Sequence, residues 1–319
     1  MLLVTGGTGF IGRHLLDRLA ARGTPVRCLT RSGRVADSSA EAVRGDLVTG
    51  AGLAEALRDV DTIVHLAGVT KALHTGEYYA GNVRATENLA RAAAGKGIRL
   101  IHVSSLAAMG PACGGIPVEE DATPQPVSHY GKSKLEAEVV VRRLLPEAVI
   151  VRPPVVYGPR DTDVFQVLQS VARGWALEIG SGERWFSALY VGDLAGALAA
   201  LAAGSSGAGR QYFLAHPKAV SWSGLAETAA RIMGVRRLRH LKILPGLAAS
   251  VGYCAEIWAL ITRKPGIISR DKITEALYDN WTCSPRRAAA ELGWEASTSL
   301  EQGLAQTLSW YKESGWIHF

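Results

Sequence analysis

The chain has 319 residues, 48% hydrophobic and 20% charged, a balance that excludes wholesale disorder and allows one large or two smaller cores. Its net charge of +6 suits anionic ligands but is modest for a nucleic-acid binder, so no nucleic-acid partner is expected. Glycine contributes 35 residues without a G-x-y period, which excludes collagen and assigns the surplus to turns and close backbone approaches.

In chain order, short and largely β-branched apolar runs at 2–5, 26–30, 62–66, 100–103 and 149–151 read as strands. Between them, 11–22, 53–58, 78–95 and 130–145 carry helical periodicity, the last stopped by Pro146. Alternation of apolar strands with helices predicts an α/β fold, a doubly wound parallel-sheet Rossmann domain over residues 1–157. Beyond Tyr157, Pro and Gly clusters break the chain into short pieces. Residues 158–319 are therefore expected to form a smaller mixed C-terminal substrate lobe, with some segments returning to the first domain. The first residues run straight into glycines without a basic n-region or long apolar h-region, so no signal peptide is expected and the cytoplasm is the default.

The segment 243–262 is mostly apolar and flanked by Arg236, Arg237, Arg239, Lys242, Arg263 and Lys264. Pro245, Gly246, Gly252 and Glu256 interrupt it, which favours a buried or substrate-covering element over a membrane span. Peripheral membrane contact is the alternative. Cys28, Cys113, Cys254 and Cys283 lie far apart and show no zinc spacing, so reduced, mostly buried thiols and no metal are expected.

Two constellations carry chemistry. Gly6, Gly7, Gly9 and Gly12, with Phe10 and Ile11 between, follow the first strand and open the first helix. Such a loop lets a pyrophosphate approach the backbone and meet the helix's free N–H groups. The second strand then runs into Arg31 with no acid before Asp37. Arg31, helped by Arg13, suits a 2′-phosphate better than a ribose diol, so NADP is expected, with NAD as the alternative. The second constellation is Tyr130 and Lys134, four apart on one helical face, with Ser104 and Ser105 at the end of the fourth predicted strand. A cation beside a phenol favours the phenolate and suits proton transfer.

With these motifs the chain resembles the extended short-chain dehydrogenase/reductase superfamily, the NAD-dependent epimerase/dehydratase-like proteins. The resemblance rests on T-G-G-T-G-F-I-G (5–12), G-D-L (45–47), H-L-A-G (65–68), N-V-R-A-T-E-N-L from Asn82, S-S-L-A-A-M-G (104–110), Y-G-K-S-K (130–134) and R-P-P-V-V-Y-G-P (152–159). Y-V-G-D-L-A (190–195) and A-A-E-L-G-W (289–294) look like its later landmarks. It implies Tyr130 as acid/base, Lys134 as pKa modifier and ribose ligand, and Ser105, five before Gly110, as the donor to the substrate oxygen. It also implies a supporting Asn82, adenine contacts at Asp46 and Leu47, a turn under the cofactor at Ala67 and Gly68, and cofactor contacts at Ser104, Pro153 and Val156. The implied reaction is hydride transfer at a secondary alcohol or ketone, the cofactor carrying the hard chemistry.

Departures from the family pattern narrow the substrate. Where the family's dehydratases carry an Asp-Glu pair, Leu106 and Ala107 follow Ser105 and can move no proton. Pro153-Pro154-Val155-Val156 lacks the asparagine that many sugar-nucleotide members place before Y-G-P. Apolar Val155 and Val156, with the segment 243–262, are similar to the 3β-hydroxysteroid dehydrogenase-like branch and suit a sterol- or hopanoid-like small-molecule substrate. A nucleotide-sugar 4-epimerase with tightly bound NAD is the first alternative, and a non-catalytic cofactor-sensing or assembly protein the second. A homodimer is a candidate assembly.

Overall fold

The computed structural model describes residues 1–36, 38–180, 182–247, 250, 262 and 270–319. The first five sheet strands read from the sequence form as β1 (Leu2–Thr5), β2 (Val26–Thr30), β4 (Thr62–His65), β5 (Arg99–Val103) and β6 (Val149–Arg152). A strand the periodicity does not reveal, β3 (Glu41–Arg44), pairs with β2 at the sheet edge, where only Val43 of its four residues is buried. Pairing is parallel throughout, in the order β11-β6-β5-β4-β1-β2-β3, with β11 (Gln211–Phe213) arriving from the second half of the chain. All the strands therefore end at one edge, and the crevice between β1 and β4 is the topological switch point at which such sheets bind ligands.

Strand side chains alternate between two covered faces, which is why the strands are apolar without interruption. Leu2 and Val4 pack with Leu15, Leu16 and Leu19 of α1 (Phe10–Ala21) and with Leu194 and Leu198 of the later helix Val191–Ala203. Leu3 and Ile63 pack instead with Leu89, Ala93 and Val141. The expected 78–95 helix is composite. It comprises α3 (Thr75–Tyr78), a π-helical turn at Tyr79–Arg84 and α4 (Ala85–Ala93), following the short α2 (Leu53–Ala56). The helix α5 (His129–Leu144) bears Tyr130 and Lys134.

A second core gathers Tyr157, Leu168, Phe186, Leu225, Leu308 and Tyr311, from α6 (Asp163–Ala172), α8 (Trp222–Met233), the C-terminal helix Leu300–Glu313 and their surroundings, whereas α7 (Val191–Ala203) belongs to the first core. On this lobe the strands Trp175–Ile179 and Arg239–Ile243 form a two-stranded parallel ribbon, with Trp175 opposite Arg239 and Leu177 opposite Leu241. Trp175, Leu177 and Leu241 share one face and are exposed, as are Leu244 and Leu247 just beyond. Arg173, Arg236, Arg237, Arg239 and Lys242 are exposed around them. Of the apolar segment 243–262, residues 248, 249 and 251–261 lie outside the described residues, as does Cys254. Cys28 and Cys283 are buried free thiols, whereas Cys113 is exposed. Among the described residues no helix is long and apolar enough to cross a membrane.

Candidate active site

The glycine loop is required by geometry on both sides. Gly6 has φ +74°, and a Cβ there would fall 2.5 Å from the Ala67 amide nitrogen. A Cβ at Gly12 would sit 2.2 Å from the Gly6 carbonyl oxygen, so the helix can approach the loop only without a side chain. Gly9 is the extended N-cap of α1 and supplies no capping side chain; the first turn contains no acid. The N-terminal N–H groups of a twelve-residue helix thus open onto a backbone cradle, an arrangement that fits a pyrophosphate. Beside it lies a small cavity of about 40 Å³ lined by Thr8, Arg13, Ser38 and Arg160, among others. Phe10 and Ile11 occupy the first turn, half-buried, and Arg13 turns back to donate from Nε to the Thr8 carbonyl at 3.2 Å.

Arg31 stands exposed just past β2, with no acceptor for its guanidinium among the described residues. Asp46 spends its carboxylate on its own turn, Oδ1 accepting from the Val48 amide at 2.7 Å, while the Leu47 carbonyl accepts from Asn88 Nδ2 at 2.9 Å. Ala67 and Gly68 form the loop after β4; a Cβ on Gly68 would lie 2.9 Å from Asn82 Oδ1. Pro153 is buried and Val156 half-buried at the far side, beyond β6.

Asn82 sits buried in the π-helical turn, a wider coil often found at functional sites. Its Oδ1 accepts from the Val69 amide at 2.7 Å, and its Nδ2 donates to the Val69 carbonyl at 3.0 Å and to Ser133 Oγ at 2.9 Å. Its own carbonyl accepts from Thr86 Oγ1 at 2.5 Å. That uses the single Thr86 hydroxyl hydrogen, so His65 Nε2, 2.9 Å away, must donate to Thr86 Oγ1. His65 Nδ1 is then left to accept from Thr5 Oγ1 at 2.6 Å. Burial, reinforced by Lys134, pushes the His65 pKa down to about 3, so the ring is neutral and the chain from β1 to Asn82 has one hydrogen order.

Ser104 and Ser105 follow β5 as expected. Ser104 Oγ is buried and has no partner among the described residues, a polar group suited to a bound ligand. Ser105 caps the short turn Leu106–Ala108, Oγ accepting from the Ala107 amide at 3.1 Å, and its hydroxyl lies close enough to the Tyr130 phenol to favour the ionised form. Lys134 is buried, its Nζ donating to the Val103 carbonyl at 2.7 Å. Burial, opposed in part by Glu138, brings the Lys134 pKa down to about 8. The Tyr130 phenol is held above its ordinary value because burial outweighs the lowering by Lys272 and Ser105.

Ser105, Tyr130, Lys134 and Asn82 are thus assembled at the carboxyl edge of the sheet, next to the glycine cradle. One group is absent from the sequence reading. The helix α9 (Arg270–Ala276) of the second lobe lies on the start of α5. Asp271 accepts from the amides of His129 at 2.7 Å and Tyr130 at 3.1 Å, and Glu275 accepts from Ser128 Oγ at 2.6 Å. Lys272 Nζ lies 5.2 Å from the centroid of the Tyr130 ring. D-K-I-T-E carries no apolar period and no recognised motif, so only its cluster of alternating charge marks it.

Against known proteins, the model of the NAD dependent epimerase/dehydratase family matches residues 2–215. The chain belongs to this family. Its relatives include a ceramide reductase of Caulobacter vibrioides, 31% identical over 99% of this chain and 96% of that protein. Another is the 4-hydroxy-2-methyl-3-oxo-4-farnesyl-3,4-dihydroquinoline-1-oxide ketoreductase of Stigmatella aurantiaca, 28% identical over 94% of this chain and 93% of that protein. Among solved structures, MoeE5 in complex with UDP-glucose and NAD superposes with a TM-score of 0.78 at 26% identity, covering 98% of this chain and 99% of that one. This family member is an NAD(P)-dependent oxidoreductase or epimerase with an extended short-chain dehydrogenase fold.

Proposed function

We propose that this chain is an NADP-dependent ketoreductase that forms a secondary hydroxyl on a long-chain, ceramide-like lipid. The observation that carries the reading is the Ser105–Tyr130 hydroxyl pair beside Lys134, set next to the cradle with no acid–base pair after Ser105. Full-length similarity to a ceramide reductase and to a second ketoreductase supports the lipid ketone over a sugar. So do half-buried Val155 and Val156 beyond β6. Residues 1–157 would hold the dinucleotide and residues 158–319 most of the substrate, with α7 and β11 returning to the sheet.

When bound, the dinucleotide supplies the hydride to the carbonyl carbon. Ser105 and Tyr130 donate hydrogen bonds to the carbonyl oxygen, and the Tyr130 proton passes to it as the alcohol forms. Lys134 holds its charge beside the ribose and helps return a proton to the phenolate. Asn82, fixed by Val69 and Ser133, keeps α5 in register with the loop after β4. Gly6, Gly9, Phe10, Ile11 and Gly12 receive the pyrophosphate, Asp46 and Leu47 the adenine, and Ala67, Gly68, Ser104, Pro153 and Val156 the remainder. Arg31 and Arg13 meet the 2′-phosphate, a reading supported by the exposed Arg31 guanidinium, which has no acceptor among the described residues.

The Trp175–Leu177–Leu241 face, ringed by arginines, is the surface on which this enzyme would rest against an anionic bilayer holding such a substrate. Sedimentation with phosphatidylglycerol vesicles tests it: Trp175→Ala with Leu241→Ser should abolish co-sedimentation. The reaction itself is tested with NADPH and a keto-ceramide, following cofactor consumption and the product alcohol by mass. Consumption equal to product, lost in Tyr130→Phe, is expected. Interconversion of UDP-glucose and UDP-galactose without net cofactor change would instead establish the epimerase.

A further inference from the structure

Lys272 comes from the second lobe, about 140 residues along the chain from Tyr130, yet its ammonium faces the phenol ring at 5.2 Å from the centroid. That lies within the range over which a ring face attracts a cation, and a ring bearing a phenolate attracts it more strongly. Lys272 is fixed by Glu275, whose Oε2 accepts from Nζ at 3.1 Å and whose Oε1 accepts from Ser128 Oγ at 2.6 Å. Asp271 fastens the same helix to α5 through the amides of His129 and Tyr130. With the Gly131 amide on Ser128 Oγ and that of Lys132 on the Ser128 carbonyl, all four N–H groups of the first turn have acceptors. Lys134, in contrast, directs Nζ to the Val103 carbonyl under the helix.

We propose that Lys272 is a positioning residue for proton transfer: α9 of the second lobe seats its ammonium against the Tyr130 ring and stabilises the phenolate. This rests on Tyr130 being the proton-transfer group. The phenol is surrounded by charges of both signs. Lys272, Glu275 and Asp271 face it from α9, Asp163 with its partner Lys71 from the start of α6, Ser105 from the loop after β5, and Tyr78 from α3. Lys134 lies one turn along its own helix. Of these, Lys272 is the foremost charge favouring the ionised phenol, and Glu275 and Asp163 oppose it. Burial works to discharge Lys272, but Glu275 and Tyr130 outweigh it and hold the ammonium above the ordinary lysine value. The ammonium is therefore the favoured form of Lys272 at neutral pH. A charge at this separation, at an effective dielectric of about 40, between those of a protein surface and water, shifts a neighbour by about one pH unit. The second lobe then does more than enclose substrate: proton transfer reaches full strength only with α9 docked on α5.

The test reads Tyr130 itself and needs no substrate. With tyrosine labelled at the ring carbon bearing oxygen, the NMR signal absent from Tyr130→Phe gives the phenolate fraction at a fixed alkaline pH where circular dichroism shows the fold intact. Lys272→Gln should lower that fraction about tenfold, and Lys272→Arg should restore it. An unchanged fraction in Lys272→Gln, or failure of Lys272→Arg to restore it, overturns the proposal. The pH profile of kcat/KM for keto-ceramide reduction should move by the same amount; if that substrate is wrong, the phenolate measurement is unaffected.

Discussion

Replacing Arg152 with methionine removes one partner of a buried ion pair that joins the sheet to α5. Arg152 closes β6, and its Nε and Nη2 donate to the two carboxylate oxygens of Glu138 at 2.9 and 2.6 Å. Both side chains are about 5% exposed or less. Removing one charge strands the other, at a typical cost of about 3–5 kcal/mol. A cleft of about 330 Å³ runs past Glu138 and Arg152, so water can reach the stranded carboxylate and the lower end applies, about 3 kcal/mol. With unfolding entropy near 2.1 cal/mol/K per residue over this length, Arg152→Met should lower Tm by about 4–5 °C. Calorimetry or thermal circular dichroism at neutral pH measures this. The double variant Arg152→Met/Glu138→Leu should recover more than half of the loss, since no charge is then left unpaired. A single variant within 1 °C of the parent, or a double variant less stable than the single, would refute the reasoning. Glu138 also opposes the discharge of Lys134, so Glu138→Leu should bring the lysine pKa further below about 8 and weaken cofactor binding at pH 8.

Gly12→Ala places a methyl 2.2 Å from the Gly6 carbonyl oxygen; it should cost more than tenfold in dinucleotide affinity by fluorescence titration, and unaltered affinity would mean the cradle yields. Arg31→Ala should weaken NADP about tenfold and leave NAD unchanged, one charge-assisted contact's worth; equal loss for both would exclude a 2′-phosphate role. Asp161 is pushed up to about 6 by burial, against the Asp163 and Val164 amides that favour its ionised form. A carboxyl that binds its proton more tightly when folded lends stability at low pH and loses it as pH rises from about 4 to about 6. Asp161→Asn should therefore gain on the parent by about 3 kcal/mol across that window, and parallel stability curves would disprove the assignment.

The strands that build the site were legible because both their faces are covered: Leu2–Thr5 is buried at every position and reads as an unbroken apolar run. β3 was not, because at the edge of the sheet only Val43 needs to be apolar and Glu41, Ala42 and Arg44 face water. The helix at 78–95 was visible in its period, but its π-helical turn was not. The extra residue per turn is set by tertiary bonds from Asn82 to Val69 and Ser133, which leave no periodic trace. The serine–tyrosine–lysine set was readable because short spacings on one helix and one strand end bring it together. Asp271, Lys272 and Glu275 reach the same tyrosine through contacts more than 140 residues away along the chain, and nothing local records that. The sequence also suggested that a lysine near the phenol would bring its pKa down. In the folded chain burial has the larger effect, and the cation that most favours the phenolate belongs to the other lobe.

The order in which the sheet fills has a consequence for synthesis. β6 lies against β5 on one side, but its other neighbour, β11, is Gln211–Phe213. While a ribosome makes the intervening 58 residues, the hydrogen-bonding rim of Val149–Arg152 stays open, and so does the seat that α7 will fill against α1. An unpaired apolar strand edge invites pairing with another nascent chain. A gene cut after residue 157 would make that transient opening permanent, and its product should need a chaperone or a supplied second fragment to stay in solution.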